Sequence, residues 1–496
     1  MKAYYIGIDL GTSAVKLLLV EKDGTIFREV TKEYPCDYPH PGWSEQDPAN
    51  WITQTYAGIR ELTEGIDPAE IRGLGVGGQM HGLVALDEND SVLRPAILWN
   101  DGRTGKETAF LNEVIGKEVL SACTGNIAFA GFTAPKILWM KENEPELFAR
   151  IRKIMLPKDY LNYKLTGIFS TDVSDASGML LFDVEHKCWS EKMLEICSLQ
   201  KEQLPAIYES ADVTGTLLPA VAKELGLSEQ TIVIAGAGDN AAAAIGTGTI
   251  GEGACNISLG TSGTIFLPGD SFRVDQNNSL HSFAHADGTY HLMGCMLSCA
   301  SCNKWFLEDI LGTKDYEVEQ EKISQEKLGK SHVFFLPYLM GERSPINDEN
   351  ARAAFIGMTM DTKREDLIQA IFEGVAFGIK DSLEAAKAMG LTVERSNLCG
   401  GGAKSPLWRM ILAAVLNIRL DILQTEQGPS LGAAMLAMVA DGAYESVTEV
   451  CQAIVQIKET IDPDPELAKL YQKRYEEFGQ LYPALKDVFF RITDIN

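Results

Sequence analysis

The sequence predicts an α/β protein built from two related halves, each a mixed β-sheet with packed helices, and three observations predict it. First, "GIDLGTSAVKLLLV" near the start and "NISLGTSGTIF" from residue 256 both place Leu-Gly-Thr-Ser between apolar β-forming runs. Second, each hairpin is followed by helical periodicity and further short strands. Third, 496 residues exceed the size at which a single core keeps growing. Duplication is the economical reading. It divides the chain into residues 1–247 and 248–496, with the glycine-rich "IGTGTIGEG" at 245–253 as the hinge.

The elements follow in order. Residues 4–9, 14–21 and 25–31 read as a three-strand meander, turned at "KDGT". In "DPANWITQTYAGIREL", Asp47 caps a helix that begins at Pro48 and buries Trp51, Ile52, Tyr56, Ile59 and Leu62. "IRGLGVGGQMHGLVALD" reads as strand, ended by the turn "DENDS". Helical patterns dominate residues 103–166, with Thr133 as the cap of "APKILWMKEN". "TIVIAG" at 231–236 then gives strand, glycine loop and helix. Residues 254–270 repeat the opening hairpin; a helix from Lys363 to Met389, the loop "CGGGAKSPLW", a helix to Leu416 and another after "QGPS" complete the second half. The charged run at 314–331 reads as a solvated helix face.

Composition excludes several function classes. With 45% hydrophobic and 23% charged residues the chain has the makeup of a folded soluble protein. Lys plus Arg number 44 against 69 Asp plus Glu, and a net charge of -25 repels phosphate backbones and anionic lipid, so neither nucleic acid nor membrane is an expected partner. "MKAYYIGIDLGTS" has no signal-peptide apolar core, which predicts a cytoplasmic protein. Ten scattered cysteines are expected to be reduced thiols, and Cys295, Cys299 and Cys302 read as small apolar residues on one buried helix face.

Several loops carry chemistry. A short Gly-Thr-Ser bend points successive N–H groups and hydroxyls into one concavity suited to phosphate oxygens, at Gly11, Thr12 and Ser13 and again at Gly260 and Thr261. Asp9 beside the first bend is a candidate for Mg2+ through water; Ser258 takes that place in the second. "GTGTIG" at 246–251 fits a dinucleotide pattern but follows a helix and precedes a strand, the reverse of what that fingerprint needs. The glycines of "CGGGAKSP" admit a nucleotide, or simply serve a crowded strand-to-helix turn.

Asp239, in "GAGDN", is either a helix cap or a base above a floor of small alanines, which suits phosphoryl transfer in which the proton leaves late. In "GQMHG", His81 with Gln79 and Met80 either fills a core or meets a polar small molecule. Asn100, Asp101 and Arg103 in "WNDGRT" face the same choice between ligand and cap. His281 and His285 have the separation of a helical metal pair, but their surroundings read as strand, with no acidic ligand near, and no metal is expected.

Taken together, "GFTAPKILWMKEN" at 131–143 and "AAFIGMTMDTKREDLIQAIFE" at 353–373, with "GQMHG", "LRPAILWNDGRT", "GAGDNAAAAIG", "ISLGTSG" and "GGGAKSPLWRMILA", resemble the FGGY family of carbohydrate kinases over essentially the whole chain, and within it the xylulokinase branch. The resemblance implies two ribonuclease H-like domains of the actin and hexokinase superfamily with a cleft between them. It implies transfer of phosphate from Mg-ATP to D-xylulose, and a homodimer. Asp239 would then be the general base, with Met80, His81, Gln79, Asn240, Asn100, Asp101 and Arg103 about the sugar. Asp9 would organise Mg2+; Gly11, Thr12, Ser13, Lys16, Gly260 and Thr261 would meet phosphates; Gly401, Gly402 and Ala403 would line the adenosine pocket. Related kinases act on other polyols such as ribulose or gluconate. An actin-like nucleotide switch would explain the bends but give "GQMHG" and Asp239 no role.

Overall fold

The opening residues form the expected meander in the computed structural model, which describes residues 2–425 and 427–495. Counting only the strands of the two large sheets, β1 (Tyr4–Leu10), β2 (Ala14–Glu21) and β3 (Ile26–Glu33) are successively antiparallel. β4 (Ile71–Gly78) lies parallel to β1. β5 (Val213–Thr216) is the antiparallel edge beside β6 (Ile232–Ile234), which is parallel to β4, and the short β7 (Ala237–Gly238) pairs with the end of β4. The order is β5-β6-β4-β1-β2-β3.

The second sheet repeats this plan. It contains β8 (Asn256–Leu259), β9 (Gly263–Gly269), β10 (His281–Ala284), β11 (Tyr290–Met296), β12 (Arg395–Cys399), β13 (Arg419–Leu423) and β14 (Ile457–Ile461). Their order is β10-β11-β9-β8-β12-β13-β14. From β11 to β14 the run is antiparallel twice, parallel twice, then antiparallel, as it is from β3 to β5. The duplication inferred from two hairpins therefore extends through both sheets.

The helices that position the site are α1 (Pro48–Leu62), α2 (Thr133–Asn143), α3 (Asp239–Gly246), α4 (Ala300–Lys304), α5 (Tyr316–Glu321), α6 (Arg364–Ala388), α7 (Pro406–Leu416) and α8 (Gly428–Ala440). Asp47 caps α1 as expected, its Oδ1 accepting from the Ala49 N–H at 2.9 Å. Because strand side chains alternate, Ile6 and Ile8 of β1 meet Trp51 and Ile59 of α1 on one face. Each such buried side chain contributes about 1.5–3 kcal/mol. Tyr5 faces the other way, into a core shared with Ala241 and Ile245 of α3 and Leu431 and Met435 of α8. The late helix α8 thus crosses back to cover the first sheet. Gly7 permits it: a Cβ there would lie 1.8 Å from the Ser430 carbonyl oxygen. In the second half, α6 and α7 pack through stacked Phe372 and Trp408, with ring centroids 4.4 Å apart.

Four local expectations are corrected. Residues 71–87 are two strands rather than one, because the chain turns at Gln79–Gly82 before Val84–Leu86. Thr133 is the first residue of α2 and not its cap; its hydroxyl donates to the His81 carbonyl. Cys295 lies in β11, so the three cysteines share a core but no helix face; Cys299 and Cys302 are buried about the start of α4. The charged run at 314–331 is only partly solvated, since Glu319 and Ile323 are buried. The strand expected around His281 is β10. Among the described residues, no helix is long and apolar enough to cross a membrane.

Candidate active site

In both Leu-Gly-Thr-Ser bends the carbonyls are tied back. In the first, Gly11 O accepts from Tyr34 OH at 2.5 Å and Gln79 Nε2 at 3.2 Å, and Thr12 O accepts from Gln46 Nε2 at 2.6 Å. Trp99 Nε1 donates to Thr12 Oγ1 at 2.9 Å. The Thr12 and Ser13 N–H groups have no acceptor among the described residues, which leaves them to an anion. In the second bend, Gly260 O accepts from Ala300 N at 2.8 Å, and Thr261 O from Cys299 N at 3.0 Å and Ser301 Oγ at 2.7 Å. Here the start of α4 does the tying.

Asp239 opens α3, with Gly238 as the cap residue. Its Oδ1 accepts from Asn240 N at 2.7 Å and Nδ2 at 2.9 Å, leaving Oδ2 uncommitted. Burial pushes its carboxyl up to about 6 against the pull of Asn240. Asp9, across from Lys16 in the first hairpin, is pushed up to about 7 by burial and then by the charge of Asp239, with Lys16 opposing. Lys16 itself is held by Glu29 at 3.3 Å and by Gln427 just before α8. Burial also raises the Cys295 thiol, and Asp239 is among the charges that add to it; Cys295 pairs with Thr264 beside the second bend. Asp239 therefore bears electrostatically on the first hairpin, through Asp9. Two neighbouring carboxyls, one of which makes no hydrogen bond among the described residues, form a donor set that fits a hydrated divalent cation.

Beside Asp239 lies the turn Met80–His81. His81 adopts φ 69°, and its Nδ1 is 2.7 Å from the Gly178 carbonyl. A carbonyl only accepts, so Nδ1 carries the proton and Nε2 is an acceptor. Burial, aided by Lys136, lowers His81 to about 3, which keeps the ring neutral. Lys136 is buried and donates to the carbonyls of His81 and Gly131, both at 2.7 Å, while the ring of Phe132 stacks on His81 at 4.7 Å. The segment 131–143 thus holds the strained turn. Met80 packs against Gly238: a Cβ on that glycine would lie 3.0 Å from Met80 Sδ.

A cavity of about 1130 Å3 is lined by Gly260, Thr261, Gly401 and Gly402, with Tyr316 and Gln320 of α5 opposite. It is large enough for a nucleotide. Gly400 makes the junction, at φ 90°, where a Cβ would lie 2.7 Å from the Leu259 carbonyl carbon.

Other residues expected at the ligand are placed differently. Gln79 is buried, and its amide braces the first bend through Gly11 O and Thr12 Oγ1. Asp101 and Arg103 are joined by three hydrogen bonds of 2.7–2.9 Å; Asp101 also accepts from Ser44 N, and Arg103 lies 3.6 Å over the Trp43 ring. These contacts lock the loop. Asn100 lines a separate cavity with Tyr38 and His40. Ala403 is buried behind the glycine turn, outside the cavity lining. Asn240 orients Asp239. Trp99, Gln46 and Tyr34 as braces of the first bend, and Tyr316 and Gln320 as cavity wall, are functional residues that the sequence motifs do not mark. Trp99 stood beside a residue that was singled out; the others carry no local signal.

Repeated sheets with paired phosphate bends, a nucleotide-sized cavity and a shared pair of carboxyls define a phosphotransferase. Residues 4–246 match the N-terminal domain and residues 255–440 the C-terminal domain of the FGGY family of carbohydrate kinases. The chain belongs to this family and is an ATP-dependent carbohydrate kinase. It is 40% identical to a xylulose kinase of Escherichia coli, over 97% of this chain and 99% of that one. A crystal structure of a "xyloylose kinase" from Brucella ovis superposes with a TM-score of 0.93 at 39% identity, covering 98% of this chain and all of the other (100%). A gluconate kinase from Lactobacillus acidophilus superposes with a TM-score of 0.94 at 28% identity, over 99% and 100%.

Proposed function

We propose that this chain is a xylulokinase that phosphorylates D-xylulose at its C5 hydroxyl to give D-xylulose 5-phosphate, with residues 1–247 carrying the sugar and first phosphate bend and 248–496 the second bend and adenosine pocket. The observation that carries the reading is the position of Asp239, which follows directly on Gly238 packed against Met80, holds Oδ2 free of hydrogen bonds among the described residues and bears on Asp9 of the first hairpin. Full-length similarity to xylulose kinases supports the substrate.

Asp239 Oδ2 receives the proton of the attacking hydroxyl, while Asn240 fixes Oδ1 and so the direction of the free oxygen. His81 Nε2 accepts from a sugar hydroxyl, and Met80 shapes the apolar wall. The Thr12 and Ser13 amides, with Gly260 and Thr261, hold phosphate oxygens in line. Asp9 would hold Mg2+ through water, and the cation would supply charge neutralisation at the transferred phosphoryl. The reduced thiols expected of the scattered cysteines fit a reducing, cytoplasmic setting. A homodimer follows from the family resemblance, and analytical ultracentrifugation tests it.

ADP release measured over D-xylulose, D-ribulose, L-ribulose, gluconate and glycerol tests the substrate. D-xylulose is expected to give the highest kcat/KM. A higher value for gluconate would move the chain to the gluconate-kinase side of the family.

A further inference from the structure

Arg343 stands out among the cations of this acidic chain. Its backbone is fixed: buried Glu342 accepts from the N–H groups of Leu297 and Arg343, both at 2.8 Å, and Ser344 N donates to Cys295 O at 3.0 Å. Its guanidinium, in contrast, makes no ion pair or hydrogen bond among the described residues. It lies 5.5 Å over the ring of Phe129, which is only partly buried. Arg343 comes from the second half and Phe129 from the first.

Phe129 belongs to the aromatic cluster that packs about His81. Its ring is 5.3 Å from Phe132, which stacks on His81, and 4.9 Å from His281. His281 is buried with its Nε2 unpartnered. The cluster therefore presents an aromatic face, an acceptor nitrogen on His81, an unsatisfied imidazole nitrogen and a free guanidinium, which together suit a chain of hydroxyl and carbonyl oxygens. The charge of Arg343 also contributes to holding His81 and His281 neutral, after burial.

We propose that Arg343 is a sugar-specificity residue: its guanidinium, delivered by the second half over the face of Phe129, hydrogen-bonds substrate oxygens at the His81 end of the sugar. This rests on the carbohydrate site proposed above. Sugar recognition then needs both halves, whereas nucleotide recognition at Gly401 and Gly402 does not involve Arg343.

Arg343→Lys and Arg343→Gln test it by steady-state kinetics with the sugar and ATP varied separately, alongside ATP hydrolysis without sugar. The KM for D-xylulose is expected to rise at least tenfold in Arg343→Gln and less in Arg343→Lys. The KM for ATP and the sugar-free hydrolysis should stay within twofold. A sugar KM within twofold of the parent in both variants overturns the proposal. So does a parallel rise in both KM values or a loss of sugar-free hydrolysis, because Arg343 is assigned no part in nucleotide binding. The parent enzyme is first assayed on the polyol panel; if another polyol is preferred, the xylulose reading falls and the arginine test is run on that polyol.

Discussion

The two Leu-Gly-Thr-Ser bends share a sequence and differ in nearly everything around it. Across the first, Leu10 faces Val15; across the second, Leu259 faces Gly263, so the second bend is one residue shorter. The first is braced by side chains from separate elements, Tyr34, Gln46, Gln79 and Trp99, and has Asp9 opposite Lys16. The second is braced by the backbone at the start of α4 and has Ser258 opposite Thr264. The difference teaches that duplication kept the backbone anion site twice but the ionisable machinery once. In the proposed mechanism charge chemistry is concentrated on the first hairpin and α3, and the second bend is left to hold the nucleotide.

That division can be broken most severely at Asp239. Asp239→Ala is expected to lower kcat by about 10²–10⁴-fold, with ATP binding retained in a calorimetric titration. Asp9→Asn should lower kcat by about 10²-fold or more, while Ser258→Ala stays within about threefold, less than the loss of one hydrogen bond. Equal losses at the two positions would show the bends to be equivalent.

A pH profile sharpens the same contrast. As the proposed general base Asp239 has to be ionised, and burial pushes its carboxyl up to about 6, so kcat/KM should fall as pH drops through that value. Asn240→Ala removes a hydrogen bond that favours the ionised form, so the acid limb should move to higher pH. Ser258→Ala should leave it in place.

Smaller effects are expected from the braces. Gln79→Ala removes one support of the first bend and should raise the KM for ATP about fivefold, the equivalent of roughly 1 kcal/mol. Asp47→Ala removes the cap of α1, whose carboxylate accepts from Ala49 N and makes no hydrogen bond to either bend. It should lower stability in a denaturant titration by about 1 kcal/mol without changing the kinetics.

What was legible in the sequence follows from how local each signal is. The bends were visible because a tight turn between strands constrains its own residues, and Asp239 because a glycine-flanked carboxylate before a run of alanines leaves few structural alternatives. Asp101 and Arg103 looked equally polar and exposed. Only the tertiary placement of Trp43 and Ser44 turns them into a closed pair, and no spacing rule encodes that. Tyr316 and Gln320 were hidden in a charged run, since periodicity cannot say which distant loop a short helix will face. Gln79 lay inside a motif read as a ligand contact, yet its neighbour in space is Gly11, across a parallel strand pair.

The crossing of α8 sets an order on biosynthesis. Tyr5 and Leu18 have their partners on a helix that begins at Gly428, so the nascent N-terminal lobe emerges from the ribosome with one flank of its sheet uncovered. That lobe must wait for nearly the entire polypeptide before it matures, and in the interval its exposed apolar flank is a target for chaperones or for self-association.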